Sequence, residues 1–195
     1  MALVNFDQSV ISNATIRLLR GDVATELLSG GEVVTTFQKA RWAVSFNVIT
    51  LTKESRGAVV GAMTRLSSLA NHFEISPPNY SGAAHTGSIV VTGGGQLGTS
   101  LIVACAPNTT ILKAGEWFTT NGELKQVVED CTSNGSGIAT IQFEPALRAS
   151  PPNSQIVNQK TPKIKLRLTN PEAAWAISQG GFTAVQFDCL EYLSG

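Results

Sequence analysis

The apolar positions of this chain alternate with polar ones far more often than they recur at helical spacing. The clearest case is residues 41–49, where Trp42, Val44, Phe46 and Val48 alternate with Ala43, Ser45 and Asn47. A period of two is that of a strand with one buried face. Upstream, residues 15–19 and 32–37 read as strands, set off by Gly21-Asp22 and Gly30-Gly31. One segment follows another period. Between positions 53 and 71, Val59, Val60, Met63, Leu66, Leu69 and Ala70 fall on one helical stripe, and Thr52 is placed to cap it. Gly57 and Gly61 each cost such a helix about 1 kcal/mol against Ala. Packing on a sheet, more than intrinsic propensity, is therefore expected to hold it.

A short strand at 73–75 runs into Ser76-Pro77-Pro78, and a second Pro-Pro pair follows at Pro151-Pro152. These two composition breaks frame residues 77–160 as an insertion. Inside it, residues 88–92, 101–105, 116–119, 124–129 and 137–143 read as short strands separated by turn residues. Asn121-Gly122 is the strongest turn signal, because a type I′ hairpin needs φ > 0 at both central positions. Beyond the insertion, residues 163–168 alternate basic and aliphatic side chains, and residues 182–192 form a long closing strand. The pattern predicts a mainly β protein with one packed helix. A β-sandwich-like domain comes from residues 1–76 and 161–195, and a small inserted β domain from residues 77–160.

Charge narrows the choice of partners. Fourteen Lys and Arg balance fourteen Asp and Glu over 195 residues, so no overall field draws the chain to nucleic acid or to an anionic membrane. Zero net charge also removes the repulsion that keeps copies apart, which suits a subunit of an assembly. The first residues lack the basic start and apolar run of a signal peptide, and no apolar run is long enough for a membrane helix. Synthesis in the cytoplasm is expected. Accordingly the sequons at Asn13, Asn79, Asn108 and Asn134 are expected to stay unmodified. Cys105, Cys131 and Cys189 have no metal-ligand spacing and are read as free thiols.

Candidate chemistry is sparse. Gly93, Gly95 and Gly98 give a GxGxxG spacing, but the segment after it reads as strand where a dinucleotide site needs a helix. A flexible turn is expected. His72 and His85 are far apart, with His72 placed at the end of the predicted helix, and Glu129, Asp130 and Glu144 flank a predicted hairpin as a solvated face. No catalytic, cofactor or metal site is expected, and no enzymatic activity. The candidate contact residues are Trp117, Phe118 and Trp175, which lie near turns and serve either a core or an interface. Lys163, Lys165 and Arg167 share one side of a strand, as a solvated sheet edge or as a charged surface between subunits.

The insertion carries a further clue in residues 111–130 (ILKAGEWFTTNGELKQVVED) and 135–148 (GSGIATIQFEPALR). This run resembles a segment in tail proteins of long-tailed bacteriophages, where it follows a strand-helix-strand part. The order of elements is similar to that of distal tail proteins. The resemblance implies a β-sandwich subunit of a homohexameric ring joining the tail tube to the baseplate, with an inserted β domain projecting outward. It further implies location in the virion tail, and as partners other copies of the chain, tail-tube proteins and baseplate hub proteins. Two alternatives go with it. One is a carbohydrate-binding virion module that touches a host-surface glycan through Trp117, Phe118 and nearby loops. The other is a tail-tube or head decoration protein.

Overall fold

The computed structural model describes residues 2–26, 29–35, 40–48, 53–68, 70–78, 80–169, 177–178, 181–182 and 185–193. Among these, a short 3-10 turn at Gln8–Val10 precedes β1 (Ile11–Leu19), β2 (Val23–Glu26), β3 (Glu32–Thr35) and β4 (Arg41–Val48). Helix α1 (Lys53–Leu66) follows, then β5 (Phe73–Ile75), β6 (Val90–Val91), β7 (Gly98–Ala104) and β8 (Thr110–Leu112). The remaining strands are β9 (Trp117–Thr120), β10 (Glu123–Val127), β11 (Cys131–Thr132), β12 (Ile138–Leu147), β13 (Ile164–Leu168), β14 (Ile177–Ser178), β15 (Gly181–Phe182) and β16 (Val185–Glu191). The chain is mainly β with one helix.

One antiparallel sheet has the order β1-β4-β16-β13-β5. The alternation of β4 sets its two faces. Trp42, Val44, Phe46 and Val48 are buried, and the register aligns Ile16, Val44, Cys189 and Leu168 in one inward row across four strands. Val59, Met63 and Leu66 of α1 close that face, together with Phe6 and Phe73. The layer over this sheet is thus a helix. Among the described residues no second sheet completes a sandwich around this core.

The helix stops at Leu66, short of the expected position 71. The Ser67 hydroxyl donates to the Thr64 carbonyl at 2.6 Å, and the Asn71 amide donates to the Arg65 carbonyl at 2.8 Å. These bonds satisfy carbonyls that a further helical turn would use, so the chain turns toward β5. The proposed cap Thr52, the stripe residue Leu69 and the strand ends Phe37 and Ile49 lie outside the described residues.

A second sheet, β6-β7-β12-β10-β9, with the small pair β8 and β11, draws all its strands from between β5 and β13. Leu101, Val103, Ile111, Ile141 and Phe143 are buried in its core, and Phe118 meets Phe143 edge to face at 5.5 Å. Asn121 (φ 50°) and Gly122 (φ 75°) form the turn between β9 and β10, as their sequence predicts. Pro151-Pro152 is not where the chain leaves this sheet. Ser154 donates to the Val91 carbonyl, Val157 donates to the Ile89 carbonyl, and Asn158 bridges Thr119. Residues 154–158 therefore line the second sheet before the chain returns to β13.

Candidate functional site

Where the two sheets meet, they share side chains. Trp117 and Leu124, from β9 and β10, belong to the core of the first sheet, and the Trp42 indole donates Nε1–H to the Leu124 carbonyl at 3.0 Å. Tyr80 donates its hydroxyl to the Trp117 carbonyl at 3.2 Å, and burial raises its pKa. Thr119 Oγ1 accepts from the Lys163 amide and donates to the Lys163 carbonyl.

A set of four charges lies beside this contact. Arg148, after β12, donates Nη1 and Nη2 to the two carboxylate oxygens of Glu191 at 3.0 and 2.6 Å, and Nη2 also reaches the Ala40 carbonyl at 2.9 Å. Glu191 accepts in addition from the Trp42 amide at 3.1 Å. On the other side, Glu123 accepts from Lys125 Nζ at 2.7 Å, and Lys125 also donates to the Ala146 carbonyl at 2.9 Å. Lys125 is fully buried. Burial depresses its pKa, while Glu123 acts in the opposite direction. Two cations against two carboxylates leave the set neutral, and the forked Arg148–Glu191 pair ties the end of β12 in one sheet to β16 in the other. Sequence reading missed all four residues. The signal was present in Glu191, which shares the inward face of β16 with Phe187 and Cys189 by strand alternation.

The candidate contact residues fare differently. Trp117 and Phe118 are both buried, which favours the core over an interface for these two. Neighbours on a strand point to opposite faces, so Trp117 enters the junction against Trp42 while Phe118 enters the second core. The structure thus provides no aromatic platform here for a sugar. Trp175 lies outside the described residues. Lys163, Lys165 and Arg167 are not on a sheet edge, because β13 runs between β16 and β5. Lys163 reaches Glu74 at 3.6 Å. Lys165 lines a cleft of about 310 Å³ at the junction, with Asn121, Arg148 and Tyr192. Arg167 stands on the outward face, in a cross-strand row with Leu190, Ala43 and Arg17.

The glycine loop behaves as a turn. Gly93, Gly95 and Gly98 all have positive φ, and the chain passes from them into strand β7, with no helix there to hold a pyrophosphate. His72 is not at a helix end. It pairs with the N-terminal segment, where Val4 donates to its carbonyl at 2.8 Å, and its ring stacks on Tyr192 at 4.5 Å. Burial raises the pKa of the three thiols, Cys131 to about 11. None of them is an activated nucleophile. Among the described residues no three metal-ligating side chains converge.

What stands out is the state of the sheet edges. The β5 edge is covered by the N-terminal segment through the Leu3–His72 bridge, the β6 edge by residues 154–157, and the β9 edge by Asn158. By contrast β1 has a partner on one side alone, β4, among the described residues. Next in sequence, β2 and β3 form a two-stranded hairpin in which every residue is exposed, including Val23, Val33 and Val34. Unpaired strand edges and exposed apolar side chains are features that natural proteins usually cover. Set against known protein families and curated proteins, the chain matches no family model and no curated protein.

Proposed function

We propose that this chain is a structural subunit of a bacteriophage tail, which assembles with copies of itself into a ring connecting the tail tube to the baseplate or tip. The observation that carries the self-assembly part is the uncovered β1 edge of the five-stranded sheet, beside a hairpin exposed on both faces, whereas the edges at β5, β6 and β9 are covered among the described residues. A chain of zero net charge with such an edge is suited to pairing with its own kind. The tail assignment is supported by the resemblance of residues 111–148 to phage tail segments. In this reading residues 1–76 and 161–195 make the ring domain and residues 77–160 the inserted one, with the Arg148–Glu191 junction holding the insert at a set angle. The fold carries no catalytic role in this proposal. The glycan-binding alternative loses support, since Trp117 and Phe118, its proposed contacts, are buried.

Light scattering across concentration, followed by negative-stain microscopy, tests the proposal. Six-fold rings are the expected result, and closed rings of another order would move the assignment to a different virion subunit. A monomer at every concentration and salt would overturn the self-assembling reading.

A further inference from the structure

From the charges on the hairpin and on the open edge, we infer that the β2–β3 hairpin of one copy docks along the β1 edge of the next, extending the five-stranded sheet across the subunit boundary. This rests on the self-assembly reading above and names its contact surface.

Three observations point to a second copy as the occupant. First, Glu26 and Glu32 stand directly opposite each other in the hairpin register, and among the described residues neither has an ion pair. Like charges across a strand pair are destabilising, so the hairpin favours a cation that the described residues do not supply. Second, the open edge supplies one. Arg17 is exposed on β1 and has no ion pair among the described residues, and Arg167 shares its cross-strand row. Third, the lengths are compatible. The hairpin strands have four residues each, and β1 has nine, so a hairpin can pair with the exposed stretch around Arg17 and leave the start of β1 free.

Such a contact uses different surfaces on the two copies. A heterologous contact of this kind repeats head to tail and closes into a ring when the rotation permits. Backbone pairing along β1 gives the affinity, as in strand addition, and the carboxylate pair on Arg17 sets the register.

The test is charge reversal in the full chain, read by light scattering and sedimentation. Glu26→Lys with Glu32→Lys, and separately Arg17→Glu, are expected to weaken association by about tenfold or more at low salt. All three residues are exposed, so circular dichroism and the unfolding midpoint should match those of the wild type. The triple variant Arg17→Glu, Glu26→Lys, Glu32→Lys restores opposite charges at every contact and is expected to assemble again. If the wild type forms oligomers and the reversals leave them unchanged, or if the triple variant stays dissociated, this inference is overturned and the ring proposal stands. If the wild type is a monomer throughout, the ring proposal falls and the inference falls with it.

Discussion

Trp42 and Trp117 meet edge to face, with ring centroids 4.9 Å apart and planes at 63°, although β4 and β9 belong to different sheets. Trp117 and Leu124 of the second sheet are part of the first sheet's core, so that core is not complete without the second sheet. Unfolding is therefore expected as one transition, with tryptophan fluorescence and far-ultraviolet circular dichroism giving coincident urea curves. Trp117→Ala should remove about 3–5 kcal/mol of stability. Two separated transitions in the wild type would show that the sheets are independent.

The forked pair at the junction gives a second prediction. Arg148→Met leaves the Glu191 carboxylate buried, with the Trp42 amide as its remaining donor. Because Arg148 is itself partly exposed, the loss is set somewhat below that of a fully buried pair, at about 2–4 kcal/mol. Adding Glu191→Gln removes the stranded charge and should recover about half of the loss. Denaturant unfolding of the two variants measures this directly, and an Arg148→Met protein as stable as the wild type would refute it.

A third prediction concerns pH. Burial, and next the Lys165 charge, hold the pKa of His72 below its ordinary value, while Glu74 acts the other way. The unfolded chain therefore takes up this proton near pH 6.5, about where a free imidazole titrates, and the folded chain takes it up at lower pH. The resulting stability is fully present above that range and is lost as pH falls through the folded pKa. Unfolding free energies from about pH 7.5 to 5 should fall in the wild type and fall less in His72→Phe, which keeps the stack on Tyr192. Equal slopes in the two proteins would assign the acid sensitivity to other groups.

Gly137 offers a fourth. It has φ 75°, and a Cβ there would run into the Cys105 carbonyl oxygen. Its own carbonyl accepts from the Cys105 amide at 2.8 Å, so the two segments cannot move apart without breaking that bond. Gly137→Ala is expected to cost about 2 kcal/mol or more, from backbone strain plus the clash. A thermal midpoint unchanged from the wild type would contradict it.

The elements that were legible in the sequence are those whose cause is local. The alternation of β4, the Asn121-Gly122 turn and the start of α1 each follow from a few adjacent residues, and each is found in place. Strands β8 and β11 were missed because three and two residues cannot display a period. Trp117 and Phe118 were treated as a pair because they adjoin in sequence, whereas the strand sends them to separate cores. Among the junction charges, Glu191 was legible from its place on the inward face of β16, but its pairing with Arg148 was not. Arg148 and Glu191 are 43 positions apart, and nothing in either neighbourhood signals the other. Likewise the exposure of β2 and β3 is a property of what fails to cover them, which a strand pattern does not encode.

The place where the chain passes between its sheets has a mechanical consequence. Tyr80 and Lys163 mark the two passages, and both are bonded to β9, Tyr80 at Trp117 and Lys163 at Thr119. A push on the far end of the second sheet is therefore expected to pass through these bonds to the first. It arrives as torque on β4 and β16, the central strands of the first sheet, and the second sheet acts as a lever whose angle is set by side chains from both.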